Sequence, residues 1–511
     1  MRFTKSWSCV LNGMEPFTVE VEVSTTDTSG SDTVVSIVGL PDSAVRESKD
    51  RVYSALCASG FRFPKGNTII SLAPAGIKKS GPALDLPIAI ALIAACEEDF
   101  PLETLDHALF FGELALDGRI RPVNGALAMA LHAREHKFQS LFVPMANGAE
   151  ASIAEGVAVY AISDLRQAYE ILKGNLFTQP VNCDILSLFN QPLHEKQIDF
   201  KDIKGHQSAR RGLEIAAAGN HNLILVGTPG CGKTLLARAF SGILPKLHLE
   251  EALKVTQVHS IAGALPENQA LITQRPFRSP HHTISEAGLL GGSSNPRPGE
   301  VSMAHHGVLF LDELPEYKRS TLEVLRQPME SGQVTISRAS GTCTFPANFM
   351  LIAAMNPCPC GFYGSVQREC RCSSMQVQKY RSRISGPLLD RIDIHLETRP
   401  LSEAELSSPA NAENSASIQK RVEAARLIQQ KRFNSPRTND SLQPGELQIH
   451  CKLDSTGQSL LSQAVNSLDL SARAYDRILR VAIADLEGET HILPEHIGEA
   501  VQYRALDRKL W

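Results

Sequence analysis

The sequence has no long hydrophobic run and no surplus of basic charge, and both absences narrow the classes of function. The longest apolar run is Leu86–Cys96, which is too short to cross a bilayer and indicates a buried helix. The chain has 51 lysines and arginines against 55 aspartates and glutamates, a net charge of −4. A uniformly basic surface is therefore excluded, and any contact with nucleic acid must rely on local basic groups.

A disulfide framework is also missing from the pattern. The 11 cysteines are an odd number, and most of them are scattered among apolar or loop positions. Such use of cysteine is typical of a reducing compartment. The first residues, Met1–Cys9, contain no apolar signal core. We therefore expect a cytoplasmic protein without a membrane partner.

The fold class that the patterning predicts is α/β with a helical C-terminal region. The 511 residues are enough for about three domains. Alternating residues such as Val19–Val23 predict strands in the first part of the chain, and Asp42–Ala58 has helical spacing. The predicted segments are an α/β domain (1–175), a linker (176–200), a nucleotide-binding core (201–400), a polar connecting segment (401–440) and a small helical domain (441–511).

A phosphate-binding loop is the most specific motif in the chain. Residues 227–234 fit the pattern G-x-x-x-x-G-K-[ST], between an apolar run and a helical segment. Backbone N–H groups of the loop and the helix N-terminus would surround the phosphates. Lys233 is predicted to reach the β- and γ-phosphates, and Thr234 to hold Mg²⁺. The residues predicted to bind the nucleotide are Gly227, Thr228, Pro229, Gly230, Cys231, Gly232, Lys233 and Thr234.

Two further strands end in polar residues suited to ATP hydrolysis. The apolar run Val308–Leu311 ends in Asp312 and Glu313, as does a buried parallel strand that delivers carboxylates to its C-terminal edge. Asp312 is predicted to bind Mg²⁺, and Glu313 to polarise the attacking water. Asn356 follows another apolar strand and is predicted to hydrogen-bond the γ-phosphate or that water.

Four cysteines lie close together in the sequence after Asn356. They form two C-x-C pairs that flank Gly361–Glu369, namely Cys358, Cys360, Cys370 and Cys372. Four thiolates can bind Zn²⁺ tetrahedrally and fasten a loop. The pairs are tighter than the commoner C-x-x-C spacing. The sequence therefore leaves two alternatives open, a zinc site and four reduced free thiols.

The combination of motifs resembles the AAA+ ATPases, and the resemblance adds two arginines. In AAA+ proteins, an arginine at a site like Pro387–Asp393 projects into the active site of the neighbouring subunit. This implies Arg391 as the arginine finger, with Arg383 as second candidate, in an oligomer with shared sites. An ion pair of Arg391 with a neighbouring aspartate is the alternative. Arg473 matches the second-sensor arginine of AAA+ lids.

Two insertions resemble one AAA+ clade, which contains the magnesium chelatases and the replicative MCM helicases. The segment 280–307 resembles a helix-2 insert. Val334–Phe345 alternates on both sides of a turn, which predicts a β-hairpin before the strand that ends at Asn356. In helicases of that clade these loops line a pore and grip DNA. The resemblance implies that Arg297 and Arg338 contact DNA.

Over nearly its whole length the sequence resembles the bacterial ComM/YifB family of magnesium-chelatase-like proteins. The resemblance implies an AAA+ parallel-sheet ATPase core with a helical lid, and ATP and Mg²⁺ as cofactors. It also implies a homohexameric helicase on single-stranded and branched DNA that promotes branch migration in natural transformation and recombination, with a recombinase as a further partner. The segments with the resemblance are Phe277–Thr283, Leu325–Glu330, Asn356–Gly361 and Tyr380–Asp393.

Two alternative functions stay open beside the helicase. One is a Mg-chelatase-type ATPase subunit, and the other is a nucleotide-dependent scaffold. In the family, the lid helix is about two residues longer between Ala482 and Ile483. A two-residue deletion rotates the following helix face by roughly 200°. We therefore expect a repacked helix or an impaired lid at this point.

The first domain resembles the proteolytic domain of Lon. Lon uses a serine that a lysine activates, but Ala83 and Leu127 occupy those two positions here. The resemblance therefore implies an inactive protease fold, reused as a scaffold or as a nucleic-acid ring. Lys78 and Lys79 are interpreted as a solvated basic pair, with contact to DNA as the alternative. The segments with the resemblance are Ser80–Ala83, Gly112–Gly125 and Leu141–Pro144.

Overall fold

A computed structural model gives the fold of most of the chain. The described residues are 2–26, 34–189, 198–266, 269–292, 296–338, 341–365, 368–407, 413–468, 470–482, 485–489, 491–504 and 506.

Among the described residues, strands and helices are mixed up to residue 398, and the elements beyond it are helices. The strands are β1 (Arg2–Asn12), β2 (Glu15–Thr26), β3 (Val34–Val38), β4 (Asn67–Ala73), β5 (Ala108–Phe110), β6 (Glu113–Leu114), β7 (Ile120–Arg121), β8 (Ser140–Pro144), β9 (Ala158–Ile162), β10 (Leu223–Gly227), β11 (Phe277–Arg278), β12 (Val308–Leu311), β13 (Gln333–Arg338), β14 (Gly341–Pro346), β15 (Met350–Met355) and β16 (Ile394–Thr398). The helices are α1 (Ser43–Ala58), α2 (Asp85–Cys96), α3 (Glu103–Asp106), α4 (Ala126–Glu135), α5 (Gly148–Ser152), α6 (Leu165–Leu172), α7 (Ile185–Phe189), α8 (Gln207–Gly219), α9 (Lys233–Phe240), α10 (Leu249–Ala262), α11 (Glu286–Leu290), α12 (Glu300–Met303), α13 (Arg319–Glu323), α14 (Arg326–Ser331), α15 (Ser374–Arg381), α16 (Gly386–Leu389), α17 (Glu403–Ser407), α18 (Ser415–Phe433), α19 (Pro444–His450), α20 (Ser455–Leu468), α21 (Ala472–Val481) and α22 (Pro494–Gln502).

The described residues fall into two compact units. Unit 1 takes them from the ranges 1–191, 249–273 and 337–344. Unit 2 takes them from 192–248, 274–336 and 345–511. Unit 1 thus includes two segments from within the predicted core range 201–400, while the domain ranges drawn from the sequence stay a prediction.

Unit 1 is built on a mixed sheet with the strand order β3-β4-β2-β1-β5-β8-β9. The strands β1, β5, β8 and β9 run parallel, whereas β2 is antiparallel to both of its neighbours. Alternate residues of β2, namely Val19, Val21 and Val23, are fully buried, as the alternation in the sequence predicts. The apolar run Leu86–Cys96 lies in the buried helix α2, which confirms that prediction. None of the described helices is long and apolar enough to cross a membrane.

The helix α10 packs against α4 inside unit 1, and a buried carboxylate joins the two. Glu150 accepts hydrogen bonds from the backbone N–H of Leu127 (2.8 Å) and from the hydroxyl of Ser260 on α10. The Ser260 hydroxyl in turn accepts the N–H of Gly125 at 2.9 Å. Burial raises the pKa of Glu150. This network ties the segment 249–273 to the first domain.

The interpretation of Lys79 as a solvated residue is wrong. Its side chain is fully buried, and its ammonium donates to the carbonyl of Pro74. Burial lowers the pKa of Lys79. Its neighbour Lys78 is exposed, so the sequence pair splits between the interior and the surface.

Unit 2 contains an all-parallel sheet with the strand order β11-β12-β15-β10-β16. All residues of β10, β12 and β15 are buried, which is what continuous apolar runs predict for a parallel sheet covered on both faces. The strand β10 lies between β15 and β16. Open α/β sheets bind ligands outside the carboxyl ends of their strands, and here residues 228–232 follow β10 at that position. The predicted fold class is therefore confirmed for this core.

The C-terminal part of unit 2 is helical, as predicted. Its helices contribute Ile418, Val422, Ile478 and Ile497 to a hydrophobic core shared with α8 and the sheet. The helix α21 ends at Val481. The expected shortening after Ala482 falls on residues 483–484, which lie outside the described residues, so it stays a prediction.

Candidate nucleotide-binding site

The phosphate loop joins the carboxyl end of β10 to the first turn of α9. Gly230 and Gly232 have φ angles of 78° and 85°, which side chains with a Cβ rarely adopt. A Cβ on Gly227 would lie 2.2 Å from Thr398 Oγ1 on β16. Glycine is therefore needed at these three positions, in a loop that leads directly into the N-terminus of α9.

Lys233 is buried, and its ammonium is surrounded by oxygen acceptors. Nζ donates to the carbonyls of Gly227 (2.8 Å) and Thr228 (3.0 Å). It also donates to Asn356 Oδ1 at 3.1 Å. The structure thus brings together two residues 123 positions apart that the sequence assigned to the same phosphate. A γ-phosphate between them would contact both side chains.

The carboxylates after β12 lie beside Thr234. The Thr234 hydroxyl donates to Asp312 Oδ2 at 2.8 Å, and the other oxygen of Asp312 accepts the N–H of Glu313 at 2.9 Å. This pair of oxygen ligands suits Mg²⁺, which prefers oxygens and is held in such loops by one hydroxyl and one carboxylate. Glu313 has a φ of 51°, and its side chain is 56 % exposed. Its carboxylate is therefore accessible to water.

Two side chains near Glu313 were missed by sequence reasoning. His282 Nδ1 lies 3.6 Å from Glu313 Oε2. Tyr317 donates its hydroxyl to the carbonyl of Pro280 at 2.6 Å, and burial together with the charges of Asp312 and Glu313 raises the pKa of Tyr317. The histidine pair of this segment was the available signal, but nothing in its spacing indicates that it faces Glu313.

A second missed group lies at the start of α8. A Cβ on Gly232 would be 3.7 Å from His206 Nε2, so His206 adjoins the phosphate loop. One turn later, the Nε and Nη2 atoms of Arg210 are buried without a hydrogen-bond partner among the described residues. Burial, followed by the nearby Arg210, lowers the pKa of His206. A buried guanidinium with unused donors needs a partner, and a nucleotide on the adjoining loop would supply one.

Cys231 fills the space under the phosphate loop. It is buried, and its sulfur lies 3.0 Å from Thr398 Oγ1 and 3.8 Å from the Lys233 ammonium. The side chain therefore packs the loop against β16.

Arg391 and Arg473 lie near the amino-terminal ends of the strands of the parallel sheet, whereas the phosphate loop follows the carboxyl end of β10. Both line one polar cavity with Asn222, the residue before β10. Since β10 has five residues, this edge is roughly 15 Å from the phosphate loop. Neither arginine can therefore reach a nucleotide held by the phosphate loop of its own chain.

The partners of Arg391 differ from those that the sequence suggested. Its guanidinium donates to the Glu330 carboxylate and to the Pro387 carbonyl. The aspartates expected as alternatives pair with other arginines, since Asp390 lies 3.6 Å from Arg473 and Asp393 pairs with Arg477. Release of Arg391 would therefore require a break with Glu330, whose side chain is 62 % exposed.

Arg383, the second finger candidate, is held on the same chain. Its guanidinium donates at 3.0 Å to both the Pro315 carbonyl and the Glu316 carboxylate. Arg473 is freer, with 66 % of its side chain exposed.

The remaining predicted residues lie in loops of the fold. Arg297 is exposed beside a bridge between Gly291 and Pro298 that closes its loop. The predicted hairpin is present as β13 and β14, and the side chain of Arg338 at its end lies outside the described part of the chain. The ligand atoms of Cys358, Cys360, Cys370 and Cys372 all lie within 4.8 Å of one another.

Three models of one protein family match the chain in succession. The model described as "Subunit ChlI of Mg-chelatase" matches residues 19–147. "Magnesium chelatase, subunit ChlI" matches residues 199–406, and "Magnesium chelatase, subunit ChlI C-terminal" matches 412–504. These matches cover both units.

Curated relatives match along nearly the full length. The chain is 42 % identical over 500 residues to the uncharacterized protein YifB of Escherichia coli (strain K12), covering 97 % of this chain and 95 % of YifB. It is 40 % identical to the competence protein ComM of Haemophilus influenzae, covering 93 % and 92 % of the two chains. A magnesium-chelatase 67 kDa subunit of Chlorobaculum parvum is 30 % identical over 31 % of this chain and 23 % of its own length. The chain has a parallel-sheet core and is similar to YifB and ComM over nearly its full length. It therefore belongs to the ComM/YifB family of magnesium-chelatase-like proteins.

Proposed function

We propose that this protein is an ATP-driven DNA translocase that promotes branch migration during the integration of DNA. The observation with the most weight is the polar network at the carboxyl edge of the sheet in unit 2. There, Lys233 contacts Asn356, and Thr234 contacts Asp312. The competence protein ComM, similar over nearly the whole chain, supports a role in DNA uptake or recombination.

ATP hydrolysis assigns a role to each residue of the network. The phosphate loop and Lys233 would hold the phosphates, and Thr234 and Asp312 would hold Mg²⁺, whose charge would stabilise the phosphates when it is bound. Glu313 orients and polarises the attacking water, and Asn356 hydrogen-bonds the γ-phosphate or that water. His206 and Arg210 contact the rest of the nucleotide.

The second half of the proposal is an oligomer with shared sites, a homohexameric ring. Arg391 and Arg473 share a cavity at the edge of the sheet remote from their own phosphate loop. An arginine there can stabilise the charge of the transferred phosphoryl group only on a neighbouring copy. Head-to-tail contacts that close on themselves produce rings. ATP hydrolysis would then depend on two chains at each site.

DNA is assigned to the loops of the insert and the hairpin. The chain as a whole is acidic, so binding must use local basic groups. Arg297 is exposed on the insert loop, and Arg338 ends β13. The proposed substrates are single-stranded and branched DNA, with a recombinase as a partner that supplies the paired intermediate.

A strand-exchange experiment tests the proposal. The full chain is added with ATP and Mg²⁺ to a labelled three-stranded branched DNA, and displacement of the labelled strand is followed on a gel. We expect ATP-dependent displacement, none with Glu313→Gln, and wild-type rates with Glu98→Gln, whose carboxylate is exposed in unit 1.

Other outcomes would favour the other two functions. ATP turnover without any DNA stimulation or displacement, together with Mg²⁺ insertion into a porphyrin, would replace the translocase by a chelatase subunit. Nucleotide binding without turnover would leave a scaffold. The short match to the magnesium-chelatase 67 kDa subunit, over 31 % of this chain, supports the chelatase less than the full-length match to ComM supports the translocase.

A further inference from the structure

The four-cysteine cluster has the geometry of a closed metal site. The sulfur of Cys358 lies 3.4 Å from that of Cys360 and 3.6 Å from that of Cys370, and the last two are 3.6 Å apart. A tetrahedral zinc ion with Zn–S bonds of about 2.3 Å separates its sulfurs by about 3.8 Å. Cys372 completes a set whose sulfurs all lie within 4.8 Å. The spacing therefore fits one zinc ion with four thiolate ligands.

The surroundings also favour a bound ion over free thiols. Cys358 is fully buried and its sulfur accepts the backbone N–H of Tyr363 at 3.3 Å. Outer hydrogen bonds of this kind orient metal ligands and stabilise their charge. Four thiols brought together have little reason to stay clustered unless an ion holds them, since thiols are weak hydrogen-bond partners.

The cluster is connected to the phosphate site through the turn that it encloses. A Cβ on Gly361 would lie 2.5 Å from Pro229 Cδ and 3.9 Å from Asn356 Cγ. The backbone of this turn therefore rests directly on the phosphate loop. The Pro357 carbonyl accepts Nε of Arg381 at 3.1 Å, and the guanidinium of Arg381 lies 4.9 Å from the ring of Tyr363. The turn is thus fixed between α15 and the phosphate loop.

We propose that the four cysteines bind one zinc ion, and that this ion holds the turn 357–363 against Pro229 and so positions Asn356 for ATP hydrolysis. Asn356 is two residues before Cys358, so the first ligand fixes the backbone from which Asn356 extends. The cysteines are positioning residues, because they act on the phosphate through Asn356 and the loop. The zinc site stands on the cluster alone, while its effect on turnover rests on the proposed ATP hydrolysis.

Metal analysis tests the site itself. The full chain is purified without added metal or chelator, and its zinc and iron are measured by mass spectrometry. We expect about one zinc per chain in the wild type, much less in Cys370→Ser/Cys372→Ser, and one in the control Cys57→Ser, an exposed cysteine on α1. Iron in place of zinc, or a wild type free of metal, would overturn the proposal.

Steady-state kinetics test the coupling. We expect the double variant to lose about tenfold in kcat for ATP with a KM within about twofold of wild type. Cys372→His, which keeps a zinc ligand, should retain both the zinc and most of kcat. Melting temperature and circular dichroism of each variant show whether it folds. If the double variant does not fold, the kcat and zinc content of Cys372→His test the coupling instead.

The outcomes separate the two proposals. A zinc-loaded wild type that hydrolyses no ATP would refute the ATPase and leave the metal site standing. A folded, zinc-free double variant with unchanged kcat would refute the coupling, because Asn356 would then be positioned without the ion.

Discussion

The two units each present a βα scaffold, but only one of them keeps polar side chains at the positions where chemistry is expected. In unit 2, Lys233 and Asn356 meet at 3.1 Å across the end of the sheet. In unit 1, the positions that resemble the dyad of Lon hold Ala83 and Leu127. Leu127 is fully buried, and its backbone N–H donates to Glu150.

The comparison distinguishes buried polar groups that the protein satisfies by itself from those that are left with unused hydrogen bonds. In unit 1, the buried carboxylates of Glu150 and Asp85 are satisfied by the protein itself, Asp85 through Arg51 at 2.7 Å. In unit 2, Arg210 retains two buried donors without a partner among the described residues. A buried charged group with unused donors calls for an explanation, and a bound nucleotide would supply one beside the phosphate loop.

The largest expected effect comes from removal of the lysine of the phosphate loop. Lys233→Ala should reduce ATP turnover by at least about 100-fold, since the ammonium is the side-chain charge nearest the phosphates. Lys49→Ala, on the exposed face of α1 in unit 1, is the matched control and should match wild type. A coupled assay of phosphate release measures the turnover of both variants. An equal loss in the two would contradict a specific role of Lys233 in ATP hydrolysis.

An attempt to restore the dyad should destabilise unit 1 without creating a protease. Leu127→Lys places an ammonium in a fully buried position, at a cost of about 3 kcal/mol or more. Leu127→Met keeps the volume and should cost about 1 kcal/mol. Urea unfolding of the full chain gives both values. Peptidase activity in Ala83→Ser/Leu127→Lys would show that the site is less altered than its packing indicates.

A smaller effect is expected at the missed arginine. Arg210→Ala should raise the KM for ATP by about tenfold and leave kcat unchanged, because its contact is made equally to substrate and transition state. Arg119→Ala in unit 1, whose side chain is 77 % exposed, is the control. If kcat falls and KM stays constant, Arg210 belongs to the reacting centre rather than to the rest of the nucleotide.

The last prediction concerns Asp393 in unit 2, which should change the pH dependence of stability in acid and not near neutral pH. Burial opposes its ionisation, but the Arg477 guanidinium and the His221 ring outweigh burial and hold the pKa of this carboxyl well below its usual range. A lowered folded-state pKa adds stability that is fully present above pH about 4 and is lost as the pH falls below it. Wild type should therefore lose stability more steeply between pH 4 and 2 than Asp393→Asn, as measured by urea unfolding. Parallel curves would contradict the assignment.

Local sequence was enough to predict the elements that hold the site. The apolar runs of β10, β12 and β15 and the glycines of the loop specify a parallel sheet with polar residues at its carboxyl edge. Contacts between distant segments could not be predicted. Glu330 as the partner of Arg391 is one example, since 61 residues separate the two.

The packing of the turn 357–363 against Pro229 is another contact between distant segments that could not be predicted. It depends on the close approach of Gly361 to the phosphate loop, and no periodicity in one segment records the position of another. Lys79 was misinterpreted for the same reason, because its burial depends on the neighbouring loop and not on its basic neighbour Lys78.

Subunit mixing is the most direct test of the proposal that each ATP site is completed by Arg391 from a second copy of the chain. Lys233→Ala and Arg391→Ala chains are each expected to be inactive alone. In an equal mixture that has exchanged subunits, roughly a quarter of the sites combine an intact phosphate loop with an intact arginine from the neighbour. We expect ATP turnover to reappear at roughly a quarter of the wild-type rate. Mixed assemblies that form and stay inactive would contradict it.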